Sequence, residues 1–203
     1  MSFVNNDVPV FLTIRNNTKV SSYAPPAYSD NLKDKVVLDY DLNLQFLRSD
    51  FKNCSSISDN LVDMVKLKTT MSKSVSNKLD FIFNELIENI YKYSADNPSG
   101  SINIKVYRIQ HASSDYETYV VNFHNYSNRK NVKGIINSFK LISREFTEKD
   151  HFKYDKGFFQ QRGQMGWITI TKLNTMIHVT AEKKSSDEYV VETQVLLSSN
   201  RGM

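Results

Sequence analysis

Asn84-Glu85-Leu86-Ile87-Glu88-Asn89-Ile90-Tyr91-Lys92-Tyr93-Ser94 is the stretch on which the reading of this 203-residue chain turns. It closes a run from Leu61 to Ser94 that contains neither Gly nor Pro. Apolar residues recur there at helical spacing, first Leu61, Met64, Val65, Leu67 and Met71, then Leu79, Ile82, Phe83, Leu86, Ile87 and Ile90. The Ser-rich segment Ser72–Ser76 divides the run into two helices. On a helix advancing about 100° per residue, the second apolar set forms one broad arc suited to a core. Glu85, Asn89 and Lys92 fall within roughly 60° of one another beside that arc. A carboxylate, an amide and an ammonium along one edge of a buried helix match what a Mg-nucleotide pocket requires. The amide oxygen can ligate a hard cation, the ammonium can pair with phosphate, and the carboxylate can orient or deprotonate a hydroxyl. The same residue types also decorate many solvated helix faces, so spacing alone leaves both readings open. Glu88, one turn before Lys92, reads as a surface partner for it.

Outward from this helix the elements fall into an order. Upstream, Ser58-Asp59 offers an N-cap, and Val36–Phe51 alternates in a way that suits a strand and a turn. Residues 1–35 read as an N-terminal extension: a short strand, Val8–Ile14, then a loop rich in Asn, Ser and Pro. Downstream, Asn97-Pro98-Ser99-Gly100 is a stop, followed by two strands, Ile102–Ile109 and Tyr119–His124. A helix then carries Ile135, Phe139, Ile142 and Phe146 on one face. A charged stretch, Thr147–Arg162, leads into Gly163-Gln164-Met165-Gly166 and a short helix through Leu173. Strands Met176–Glu182 and Glu188–Leu197 close the chain. Helix, two strands, helix, loop, helix, two strands describes an α+β fold, a two-layer sandwich with helices on one face of the sheet.

Bulk properties narrow the function classes. Composition is 40% hydrophobic and 24% charged, which argues against disorder throughout. The net charge of +4 comes from 26 basic and 22 acidic residues spread along the chain. Without a Lys/Arg block, a nucleic-acid partner is not expected. A single cysteine, Cys54, precludes an internal disulfide and points to a reducing, cytoplasmic setting. No apolar run approaches the roughly 18 residues of a membrane helix, and Met1–Ile14 lacks the basic start of a secretory signal. The four histidines show no metal-ligand spacing.

The Asn84–Ser94 helix closely resembles the N-box of the GHKL superfamily, which includes histidine kinases and SpoIIAB-type anti-sigma-factor kinases; its E-x-x-x-N-x-x-K core is complete. Val121-Asn122-Phe123-His124-Asn125-Tyr126-Ser127 sits where that family binds adenine, and Gly163-Gln164-Met165-Gly166-Trp167 looks like its second glycine box. The pattern is similar to the SiaB-like branch and covers about residues 36–197, which places a GHKL ATPase-like domain at 36–203. The resemblance implies a Bergerat-type sandwich with a mixed sheet. It also implies ATP and Mg²⁺ as cofactors, with Asn89 as metal ligand and Asn89, Lys92, Asn125, Gly163 and Gly166 around the nucleotide. Glu85 would be the catalytic base or orienting group. The usual first glycine box has an Asp and glycines; here Asn125 takes the Asp position, keeping an acceptor oxygen, while Tyr126, Ser127 and Asn128 replace the flexible residues.

Two functions follow from the resemblance. One is a serine/threonine protein kinase of the anti-sigma type acting on a STAS-like partner; the absence of histidine between Asp59 and Lys78 argues against a self-phosphorylating sensor kinase. The other is a regulator that keeps the fold and binds a partner without turning over ATP, which the altered first box favours. Relatives that dimerise through their sheets suggest a homodimer.

Overall fold

A computed structural model describes residues 10–16, 19–20, 35–94, 101–110, 116–137, 166, 169–170, 173 and 175–200. Seven strands form one sheet: β1 (Val10–Asn16), β2 (Lys19–Val20), β3 (Val36–Asn43), β4 (Ser101–Gln110), β5 (Tyr116–Asn128), β6 (Thr175–Lys183) and β7 (Glu188–Asn200). Their spatial order is β2-β1-β6-β7-β5-β4-β3. Every neighbouring pair is antiparallel except β1 and β6, so the sheet is mixed. Three helices precede β4: α1 (Leu44–Ser49), α2 (Asn53–Lys68) and α3 (Lys73–Tyr93). Residues 129–137 continue from β5 as helix, and 166 and 169–170 are helical before β6. The chain is thus α+β in the predicted order.

The long helical run divides at Thr69–Ser72, at the leading edge of the Ser-rich segment, whose remaining residues, Lys73–Ser76, form the first turn of α3. α2 ends at Lys68, and Ser72 caps α3 by accepting from the Val75 amide at 3.3 Å. The buried face of α3 is Val75, Ser76, Leu79, Ile82, Phe83, Leu86, Ile87 and Ile90. It packs in one continuous core with the inward residues of the sheet, among them Leu38, Ile104, Val121, Phe123, Ile177, Val179, Val191 and Val195. The Phe83 and Phe123 rings meet at 6.2 Å between centroids. Alternate strand residues point the other way, and there Ile109 and Val120 form a small separate cluster with Tyr107 and Leu196. Near that end of β4 and β5, buried Glu117 takes Arg108 at 2.8 Å and the Tyr119 hydroxyl at 3.1 Å. Burial first, and the Glu117 charge second, push the Tyr119 phenol up to about 12.

Three expectations need correction. Ser58-Asp59 is not an N-cap: α2 already begins at Asn53, and Ser58 is buried within it, its hydroxyl 2.8 Å from the Asp80 carbonyl and carboxylate of α3. A polar residue that looked like a helix start instead pins two helices together, because its partner lies on the next helix. Val36–Phe51 holds a strand and a short helix, with Asn43 accepting from the Gln45 and Phe46 amides at 2.8 and 3.2 Å. The N-terminal strand, described from Val10, runs on past Ile14 to Asn16, and it joins the sheet beside β6 although it precedes residue 36. The Asn97–Gly100 stop, the apolar positions Phe139, Ile142 and Phe146, and the charged stretch 147–162 lie outside the described residues. No helix among the described residues is long and apolar enough to cross a membrane.

Replacing Leu79, which is fully buried, by Ala is expected to cost about 2–5 kcal/mol in urea unfolding, whereas Leu67→Ala, at a position 87% exposed, should stay within about 0.5 kcal/mol of the parent.

Candidate functional site

Where the last turns of α3 cross the sheet, a pocket of about 450 Å³, counting its open mouth, lies between helix and strands. Leu86, Asn89, Ile90 and Tyr93 form its helix wall; Phe123, Asn125 and Ser127 come from β5, Val191 and Thr193 from β7, and Ile135 from the helical residues 129–137. Period explains the set: 86, 89, 90 and 93 make one helical stripe, and 123, 125 and 127 share one face of a strand. The lining is apolar with a few amides and hydroxyls, the usual character of a small-molecule site.

Polar groups stitch this corner together. β5 and the helix after it satisfy the carbonyls that end α3, which have no partner within the helix. Ser127 donates to the Tyr93 carbonyl at 3.3 Å, and the Asn131 amide donates to the same oxygen. Arg48 from α1 donates to the Ser94 carbonyl at 2.7 Å. Asn125, only 8% exposed, donates from Nδ2 to the Ser94 hydroxyl at 3.0 Å and to the Tyr126 carbonyl at 3.2 Å. The end of α3 is therefore held against the very strand that carries Asn125.

Asn89 and Asn125, far apart in sequence, are brought into one pocket. Asn89 Nδ2 is buried without a hydrogen-bond partner; among the described residues the other such atom is Asn122 Oδ1, on the opposite face of the sheet. Glu85 sits one helical step to the side. Burial, then the neighbouring Glu88 charge, hold its carboxyl above the ordinary range, with Lys92 acting weakly the other way. Gly166 lies directly on it: a methyl group at Gly166 would overlap Glu85 Oε2. Glycine is needed there for close approach, whatever its backbone angles. Glu85 and Gly166 are thus also brought together.

Lys92 is not part of the pocket wall. Its Nζ binds Glu88 Oε2 at 2.6 Å and stands 5.6 Å from the centre of the Phe51 ring. Around the helix, the pocket stripe lies to one side of Glu85 and the Glu88–Lys92 pair to the other, a separation that the roughly 60° sector of the three residues conceals. Tyr126 points to the other face of the sheet and packs edge-on to His124, so it does not fill the pocket. Gly163 and Trp167 lie outside the described residues. Among the described residues no group of three or more His, Cys, Asp or Glu side chains is assembled for a metal.

Sequence reasoning assigned no binding role to Ser94, Ser127, Ile135 or Thr193. Ser127 could have been found as the residue two beyond Asn125 on one strand face. Thr193 carries no local signal, because only the pairing of β5 with β7 sets it opposite Phe123. Comparison with protein-family models, with curated proteins and with solved structures finds no match for this chain.

Two outcomes are expected here. The folded state holds the Glu85 proton more tightly than the unfolded chain, so stability falls as pH rises above the ordinary carboxylate value of 4.5. Glu85→Gln should therefore raise the melting temperature at pH 7, with the gain vanishing below about pH 4.5, in paired thermal scans. Gly166→Ala should destabilise by about 1–3 kcal/mol in the parent and by clearly less in a Glu85→Ala background, a coupling read from a double-mutant cycle.

Proposed function

We propose that this chain is an ATP-binding regulatory domain of the GHKL kind, acting as a serine/threonine protein kinase of the anti-sigma-factor type on a small STAS-like protein. The observation that carries the reading is Asn89. A buried amide N–H without a partner costs about 1–3 kcal/mol, and a polar ligand in the pocket it lines would recover that cost. The order of elements supports the reading, since the N-box helix is followed by two strands and the adenine segment ends on β5 against that helix. So does Glu85, a carboxylate with a raised proton affinity packed under the backbone of Gly166.

The residues fit the implied Mg²⁺ in a limited way. Asn89 supplies an oxygen donor, and Mg²⁺ commonly takes one or two protein oxygens while phosphates and water complete its shell. When bound, the ion would neutralise charge on the phosphates. The chain's own work is otherwise positioning. The apolar walls Leu86, Ile90, Phe123, Ile135 and Val191 exclude water from a planar base, and Asn125 presents an amide to its edge. Glu85, once deprotonated, accepts the proton of an incoming serine or threonine hydroxyl; burial raises its proton affinity above that of an ordinary carboxylate, which favours that acceptance.

A second reading, a partner-binding regulator that does not turn over ATP, is favoured by one observation: Lys92 is held by Glu88 and Phe51 instead of facing the pocket. In either case two copies of the chain could form the working unit, as the family resemblance suggests.

Mg-ATP should raise the melting temperature of the parent, because a ligand at 100 times its Kd adds about 2.7 kcal/mol. Asn89→Ala should abolish that shift, and Glu85→Ala should keep it while losing labelled-phosphate transfer to a STAS-like substrate. Transfer that survives Glu85→Ala removes the base assignment, and no shift in the parent removes nucleotide binding. Glu88→Gln frees Lys92 and should tighten Mg-ATP binding several-fold; unchanged affinity supports the second reading.

A further inference from the structure

Helices pack on one face of the sheet, yet part of the other face is also buried. Ile109 and Val120 point away from α3 together with Tyr107 and Leu196, and among the described residues no helix joins them. Tyr107 and Leu196 stand beside Val120 on β4 and β7. Neighbours within a sheet cover the flanks of a side chain and leave its tip open. Val120 is nevertheless 0% exposed and Ile109 7%. Next to Val120 on the same face, Asn122 Oδ1 is buried as well. A further layer of chain therefore covers this part of the open face.

Connectivity singles out the segment that can supply it. β2 and β3 are the two edges of the sheet, so the chain between Val20 and Val36 has to pass from one edge to the other. Val20 lies in the row of Arg15, Glu182, Val190 and Tyr126. Val36 lies in the row of Tyr107, Val120, Leu196 and Met176. Across the strands and along them, that makes a diagonal of about 35 Å. The connecting chain reaches about 53 Å when extended, which leaves slack for this route. A path over the helices must also climb and descend a layer about 10–12 Å across, which takes it to the end of that reach. The straight diagonal crosses β5 at Asn122, beside Val120.

We infer that the open face of the sheet is the docking surface for residues 21–34 of the same chain, which lie across β7, β5 and β4 and so withhold that face from a second copy. The segment suits the task. Tyr23-Ala24-Pro25-Pro26-Ala27-Tyr28 is its centre, and Leu32 comes near its end. A proline pair favours an extended backbone that needs no ladder of hydrogen bonds. Tyrosines bring large apolar rings with a polar tip, matched to a face where apolar and polar rows alternate. The docked segment ties the β1–β2 edge to β3, and a homodimer has to use another surface. No residue of the pocket takes part, so this inference is independent of nucleotide binding.

The test compares the full chain with a variant in which an equally long Gly/Ser linker replaces residues 21–34. The linker variant should bind anilinonaphthalene sulfonate several-fold more than the parent. Leu196→Ser within that variant should remove most of the gain, which locates the dye on this face. A synthetic peptide of residues 21–34, added in trans, should displace it. Where the linker variant does not fold, Tyr23→Ser with Tyr28→Ser in the intact chain should show the same change to a smaller degree. Equal dye binding by parent and variant overturns the inference, as does a gain produced by deleting residues 1–9 and not by the linker. A parent that light scattering shows to be dimeric, and that Leu196→Arg makes monomeric, has a second copy on this face and overturns it too.

Discussion

Burial of one face of α3 against the middle of the sheet is the constraint on which the rest of the molecule depends. Leu79, Ile82, Phe83 and Ile87 are fully buried, and Phe83 meets Phe123 on β5. That contact sets the rotation of the helix about its axis. Once the apolar arc is pressed onto the strands, the orientation of every other residue on α3 follows from the helical period. Asn89 comes to the seam between helix and sheet, Glu85 lies beside it under Gly166, and Lys92 is carried round toward Glu88 and the α1–α2 turn at Phe51. The pocket is thus a by-product of packing at the end of the helix, where the core opens and polar groups replace hydrophobic ones.

The polar groups at that end do two jobs with the same atoms. The carbonyls of Tyr93 and Ser94 need partners because the helix stops there, and Ser127, Asn131 and Arg48 provide them. The same strand supplies Asn125, whose bond to Ser94 ties α3 to β5 and orients an amide toward the pocket. Structural capping and the placement of a pocket-lining amide are therefore coupled: loosening the cap would also release the amide. Asn89 stands apart from this network. It is the one pocket amide whose nitrogen the protein leaves unused, in a place where desolvation makes that expensive.

Charge is arranged with similar economy. Glu85 is raised in proton affinity by burial and by Glu88, while Glu88 itself is neutralised by Lys92. If Lys92 were turned toward the pocket, Glu88 would be left to repel Glu85 more strongly. The pair therefore moderates the electrostatics of the carboxylate even while it stays outside the cavity.

The amino-acid sequence alone determined the elements with a strong period or a clear break: the two helices parted at Ser72, the strands β4 to β7, and the stripe that holds Glu85 and Asn89. Those features are local, set by 3.6- and 2-residue repeats and by the residues that interrupt them. Local signals misled where a polar residue's partner was distant, as at Ser58, whose bond to Asp80 looked in sequence like a helix cap. Position alone also could not reveal that β1 pairs with β6, that Thr193 lies opposite Phe123, or which of three neighbouring polar residues on α3 faces the pocket. Strand pairing and helix rotation decided these, because both minimise buried apolar exposure over the whole core, and that optimum is not encoded in any single segment.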